Sequence, residues 1–327
     1  MKQFWHLLIS QRTSWKPSIG LTTATLLISA LGQLSGATSS IVGWYSVSVP
    51  AGNSSWTCAL VCSDLYQSAA VTVSADPADG KALVSFSAPG WTGGEFTSHY
   101  AEPLSGPSQG LAIDVLSNTN DTLKLDTTPV AAGLTSGMVF TLRKHCTLAG
   151  LMPDGGGFLP FNDSIALFQA NGSQKLYFWN GINWYASNGT NANTVVIRPA
   201  QGFVIQANAA LTITLGKGDA AYVKNTPTKI RATNGVPNLV GALNPLGTTT
   251  TLGALGITSS LQAFNDSIVT LNPGTLAQIG TFLSTGSNLI NGSGQNANNT
   301  PLPAGTSVVI NVDASKTITL APITVAP

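Results

Sequence analysis

The stretch FNDSIALFQANGSQKLYFWNGINWYASNGTNANTVVIRPAQGFVIQANAALTITL, residues 161–215, decides the fold, because three of its strings return downstream in the same order. FNDSI at Phe161 to Ile165 recurs at Phe264 to Ile268, an offset of 103. NAN at Asn191 to Asn193 recurs at Asn296 to Asn298, and TITL at Thr212 to Leu215 recurs at Thr317 to Leu320, both at an offset of 105. The spacing of 21 residues from NAN to TITL is the same in both places, with a Pro-Ala and an apolar strand in between, in RPAQGFVIQ from Arg198 and LPAGTSVVI from Leu302. AGLMP (Ala149 to Pro153) and GALNP (Gly241 to Pro245) precede the two FNDSI strings. Such an ordered series predicts that the C-terminal half is a duplicated module.

Outward from that stretch, Thr, Val, Ile, Asn, Ser and Gly dominate, in short alternating runs such as AVTVSA, KALVSFSA, LAIDVLS and MVFTLRK, punctuated by Gly, Asn-Gly and Pro. That is the pattern of many strands joined by tight turns. The expected fold class is mainly β, with antiparallel sandwich or barrel-like modules, a duplicated C-terminal half and an N-terminal signal helix. The best helical candidates are short, SWTCALVCSDLY from Ser55 and LGALGITSSLQAF from Leu252. The domain plan is a leader at 1–37, an N-terminal β domain at 38–146, one module at 147–232 and its partner at 233–327, with KNTPTKIRATNGVPN as the connection between modules.

Composition narrows the functional classes. Of 327 residues 43% are hydrophobic and only 8% charged, with a net charge of +1, which excludes both a disordered chain and a coiled coil. Without clustered Lys and Arg there is no general field for nucleic acid or anionic lipid. The leader carries Lys2, Arg12 and Lys16, then the uncharged run IGLTTATLLISALG, then Ser35-Gly36-Ala37 as a small-x-small cleavage pattern. Its removal leaves 11 basic against 13 acidic residues, a net charge of −2. No later stretch is long and apolar enough for a membrane span as a helix, so the expected localisation is exported: extracellular, cell surface or periplasm. Cys58 and Cys62 in CALVC are close enough to bridge, which would leave Cys146 outside that bridge and in the interior.

GLAIDVLSNTNDTLKLD from Gly110, TLRKHCTLAGLMP, FNDSIALF, KLYFWNGINWY and VVIRPAQGFVIQ together resemble a set of uncharacterised exported bacterial β-rich proteins. The resemblance covers about residues 99–215, and the second module departs from it where the aromatic hairpin is lost. It implies a secreted β-rich product and brings no activity, substrate or catalytic residue with it.

Four features carry candidate chemistry. In KLYFWNGINWY, Asn180-Gly181 is a favoured two-residue turn, which pairs Trp179 with Ile182 and Tyr177 with Trp184 on one side and Leu176 with Tyr185 on the other. Tyr177, Trp179, Trp184 and Tyr185 then either complete a core or present rings to a sugar or a partner protein. Gly106-Pro107-Ser108-Gln109-Gly110 matches the nucleophile-elbow string, with Asp114 or Asp126 and then His145 in triad order, but it lacks the strand and helix that an elbow needs. Asn-Asp-Ser at 162–164 and 265–267 offers oxygens to Ca²⁺ or, more simply, caps a turn before a strand. Glu95 and Glu102, the only glutamates, flank His99 and Tyr100 and form a possible acid pair for glycoside hydrolysis. The expectation is a non-enzymatic cell-surface or extracellular structural, adhesive protein with no cofactor and no metal. Its partner would be itself or a surface polysaccharide, and the rival is a secreted carbohydrate-binding or carbohydrate-active protein.

Overall fold

A computed structural model of the chain describes residues 45–57, 61–62, 64–87, 89–169, 171–217, 221–222, 226–241, 250–272, 275–302 and 307–322. The leader at 1–37 and Cys58 of the expected bridge lie outside the described residues. In chain order the strands are Tyr45–Val49 (β1), Gly52–Thr57 (β2), Val61–Cys62 (β3), Asp64–Gln67 (β4), Thr72–Ala75 (β5), Ala82–Ser85 (β6), His99–Pro103 (β7), Ile113–Asn118 (β8), Thr122–Leu125 (β9) and Phe140–Lys144 (β10). Next come Cys146–Thr147 (β11), Ser164–Phe168 (β12), Gln174–Trp179 (β13), Trp184–Ala186 (β14), Val196–Ile197 (β15), Gly202–Ala207 (β16), Leu211–Leu215 (β17) and Ala221–Tyr222 (β18). The last are Thr228–Ala232 (β19), Asn238–Gly241 (β20), Thr250–Thr251 (β21), Ser267–Leu271 (β22), Gln278–Ser284 (β23), Leu289–Ile290 (β24), Pro301–Leu302 (β25), Ser307–Asn311 (β26) and Lys316–Leu320 (β27). The fold is mainly β and its ladders are antiparallel, as the alternating runs predict.

Two five-stranded sheets run in the same order, β14-β13-β12-β16-β2 and β24-β23-β22-β26-β20. Each is accompanied by a ribbon (β1 with β17, β19 with β27) and a short pair (β11 with β15, β21 with β25). These pairings move the expected boundaries. Tyr45–Thr57 belongs with residues 146–215 rather than with the 38–146 region, so the seven-stranded sheet β4-β10-β7-β8-β9-β6-β5 interrupts the first module. The stretch read as a connection supplies β19, whose Thr228 pairs with Leu320, so it belongs to the second module.

Both helical expectations are corrected. Ser55–Thr57 lies in β2, where Trp56 pairs with Phe203, because a sheet position that buries the indole outweighs weak local helical spacing. LGALGITSSLQAF forms only two single 3₁₀ turns, Gly253–Leu255 and Thr258–Ser260, divided by the left-handed Gly256.

Alternation assigns every strand two faces. In β12 and β16, Ile165, Leu167, Phe203 and Ile205 enter the first module's core, while Ala166 and Val204 point the other way and pack with Leu239 of β20. The second module has its own core around Ile268, Leu289, Val308, Ile310 and Ile318, and the seven-stranded sheet has a third around Val84, Ile113, Leu125 and Phe140. The five-stranded sheets approach closely enough that a Cβ on Gly202 would lie 2.6 Å from Leu239, and Ser307 Oγ donates to the Trp56 carbonyl at 2.6 Å. Gly110 is needed for a second close approach. It holds φ at +85°, a Cβ there would stand 2.1 Å from the Pro227 carbonyl, and its own carbonyl accepts Lys229 N–H at 2.9 Å.

Candidate functional site

The repeated strings do the same physical work in both modules. Asp163 accepts Leu159 N–H on Oδ2 at 2.9 Å and Asn208 N–H on Oδ1 at 3.0 Å; Asp266 accepts Gln262 N–H at 2.6 Å and Asp313 N–H at 3.0 Å in the same way. Each carboxylate, fully buried, ties the turn before the first sheet strand to the hairpin that follows β16 or β26. The amide oxygens of Asn193 and Asn298 accept Trp184 N–H at 2.8 Å and Leu289 N–H at 2.9 Å, while their amide nitrogens donate to Asn183 and Asn288. NAN is thus a clamp that closes a hairpin. Among the described residues no three His, Cys, Asp or Glu side chains gather as a metal would require.

The aromatic hairpin is real but its turn is longer than the Asn-Gly pair predicts. Trp179 pairs with Trp184, Phe178 with Tyr185 and Tyr177 with Ala186, around a four-residue loop, 180–183, in which Asn180 Oδ1 accepts the N–H groups of Ile182 and Asn183. A shift of two residues keeps every ring on the face expected of it. Tyr177, Trp179 and Trp184 are 3%, 6% and 0% exposed and join the core, where Phe158 and Trp184 meet edge to face at 5.3 Å. Tyr185 is half-buried on the opposite face. A stacking surface made of the three buried rings is therefore not presented to solvent. The second module keeps the hairpin as β23 and β24, with Phe282 and Leu289 in the core and Leu283 opposite Ile290.

The other expected groups are dispersed. Glu95 is exposed and Oε2 accepts Thr92 N–H, whereas Glu102 is 1% exposed and bonds Arg143 Nε at 3.1 Å. One acid is in water and the other sealed in an ion pair, so the two do not share a cleft. The aromatic residues of the same segment are structural: Phe96, between the two acids in sequence, packs against Trp91 at 5.0 Å, and Trp91 against Phe86 at 4.9 Å. Ser108 is buried and its hydroxyl donates to the Ala132 carbonyl, away from His145, although His145 Nε2 does lie 3.4 Å from Asp114. Cys146 is buried in the first module's core.

Sequence reasoning missed two features. The first is a cavity of about 440 Å³ where residues 111–126, 168–202 and 229–240 meet. Its lining includes Asp114, Asp126, Arg198, Lys229 and Arg231, five charged groups from a chain with 8% of them. Arg198 grips both oxygens of Asp114, one at 2.6 Å. Burial pushes the Asp114 carboxyl up, but bonds from Arg198 and His145 outweigh it and hold the group well below the usual carboxylate range. A carboxylate depressed in this way stabilises the fold above its unfolded pKa of about 3.9, and that contribution fades as pH falls toward the folded value. Urea midpoints measured from pH 5 down to about pH 2 are expected to fall less steeply for Asp114→Asn than for wild type; superimposable curves would contradict the assignment.

The second is a pair of strained turns. Phe161 and Phe264, the first residues of the repeated string, hold φ at 58° and 62° and are 73% and 67% exposed. Phe161 N–H donates to the Trp179 carbonyl and Phe264 N–H to the Ser284 carbonyl, at equivalent places beside each hairpin. FNDSI marks both positions in the sequence, but nothing in it shows that the ring faces out. Comparison of the chain with family profiles, curated proteins and solved structures returns no match.

Proposed function

We propose that this chain is an exported, non-enzymatic protein of the cell surface or extracellular matrix, built from two copies of one ancestral β unit, which self-associates through its paired Phe-Asn-Asp turns. The left-handed, solvent-facing Phe161 and Phe264 carry the reading. That conformation costs an ordinary residue about 1–2 kcal/mol, and a turn that needed the shape alone would be served better by Gly or Asn. Rings left in water recover little of that cost by packing, so their use is sought at the surface. Two equivalent contact points let one chain bridge two neighbours, which an open assembly requires. Strand-edge pairing is less available: Ser136 Oγ accepts Val73 N–H along the edge of β5, and the NAN clamps lie against β14 and β24. Export rests on the leader, and Glu95 in water with Glu102 held by Arg143 speaks against the acid-pair alternative.

A polysaccharide is the second partner to consider, because the exposed Asn162 and Asn265 set an amide beside each ring. Fractionation of native cells and particle sizing of the purified chain test the reading. Wild type is expected with the envelope or matrix and as higher-order particles. Phe161→Gly with Phe264→Gly should be monomeric, with a urea midpoint unchanged or raised, since glycine relieves about 1 kcal/mol at each left-handed site. A wild-type chain that is strictly monomeric and found only in the medium overturns the proposal. Retention of such a monomer on insoluble polysaccharide selects the second partner.

A further inference from the structure

We infer that the cavity between the three cores binds a small organic carboxylate, with Lys229 and Arg231 as its anion-holding pair. The inference starts from charge. Asp114 is occupied by Arg198, and Asp126 by Lys81 at 2.6 Å. Lys229 Nζ donates to the Pro107 carbonyl, and Arg231 Nη2 reaches Thr127 Oγ1 at 3.4 Å. Neither cation meets a carboxylate among the described residues. As alternate residues of β19 they lie on one face, roughly 7 Å apart along the strand, where like charges repel and an anion between them removes the repulsion.

The first module supplies an internal reference. In its ribbon, Ser46 and Ser48 stand opposite Thr214 and Thr212; in the second, Lys229 and Arg231 stand opposite Thr319 and Thr317. The ribbon itself therefore does not call for cations at these two positions, which in the second module belong to the strand that lines the cavity. With Asp114 held by Arg198 and Asp126 by Lys81, Lys229 and Arg231 remain as two cations without a carboxylate among the described residues, and the two oxygens of one organic carboxylate can engage both. Phe168, Val236 and Leu239 give the same cavity an apolar wall, so the anion should carry an apolar face. A volume of about 440 Å³ at a junction of packed units suits a ligand of monosaccharide or small aromatic-acid size.

The test uses two acids and their neutral twins on the purified chain: glucuronate against glucose, and benzoate against benzyl alcohol, followed by calorimetry or ligand-detected NMR. At least one acid is expected to bind about tenfold or more tightly than its twin, and added salt should weaken the acid alone. Lys229→Ser with Arg231→Ser copies the first module's residues, so the fold is expected to persist, verified by its urea midpoint, and the preference for the acid should vanish. Acids that bind no better than their twins, or a preference retained in the double variant, overturn the inference. If the double variant unfolds, the salt dependence in wild type decides, and binding that is insensitive to salt overturns it as well.

Discussion

Asp266→Ala is expected to lower stability by about 3–5 kcal/mol, the loss typical of removing one partner from a buried charged network. The carboxylate is fully buried and holds three donors at once: Gln262 N–H, Asp313 N–H and Lys316 Nζ, the last at 2.6 Å. Alanine leaves two backbone donors without that acceptor and weakens the pairing of an ammonium that is only 20% exposed, leaving it Asp313 at 3.0 Å among the described residues. Burial raises the Asp266 carboxyl, but Lys316 and the two N–H bonds together outweigh it and hold the group below its ordinary value. The stabilisation is therefore complete above about pH 4 and declines as pH falls through the folded pKa. The first module provides the control. Leu211 stands where the second has Lys316, so among the described residues Asp163 holds the two N–H groups and no cation. Asp163→Asn, which keeps one acceptor and strands no cation, should cost less than Asp266→Asn when urea midpoints are compared at pH 7. Equal losses would mean that Lys316 contributes nothing to the network.

The repeated strings made much of this architecture legible, and the reason is physical. FNDSI, NAN and TITL are not merely strand-like; each includes a side chain or strand that closes a particular turn or ribbon, and a residue with a fixed geometric task leaves a recognisable string. Asp163 and Asn193 are visible in the sequence for that reason. The interruption of the first module was not legible. Whether Gly52–Thr57 pairs with β16 or with the sheet that follows is decided by which surface buries Trp56, and that surface lies about 145 residues downstream. The hairpin register also escaped, because Asn180 uses its side chain to build a longer loop where the Asn-Gly pair alone suggests a two-residue turn. The cavity was least visible of all: Asp114, Arg198 and Arg231 meet only after three separate cores have packed, and no local pattern links them.

Trp184→Ala should cost the first module about 3–5 kcal/mol, the usual range for emptying a fully buried tryptophan site. The indole is 0% exposed, meets Phe158 edge to face and Trp179 at 5.7 Å, and its Nε1–H donates to the Met152 carbonyl at 3.1 Å. Alanine would open a cavity between these rings and remove one of the two donors to that carbonyl, which keeps Gly155 N–H at 3.2 Å. Relaxation can fill little of the space, because Asn193 fixes the hairpin on one side and the left-handed Gly155 is pressed under the Trp179 ring on the other. Leu289 occupies the equivalent position in the second module, also at 0% exposure, so Trp184→Leu should recover part of the loss by restoring volume without the hydrogen bond. This ordering separates packing from binding. A ring kept for stacking on a ligand would leave the urea midpoint of Trp184→Ala close to that of wild type, while a core ring makes the midpoint fall in the order wild type, leucine, alanine. The second order is expected, because a side chain with no surface in water has nothing to offer a partner until the fold itself has opened.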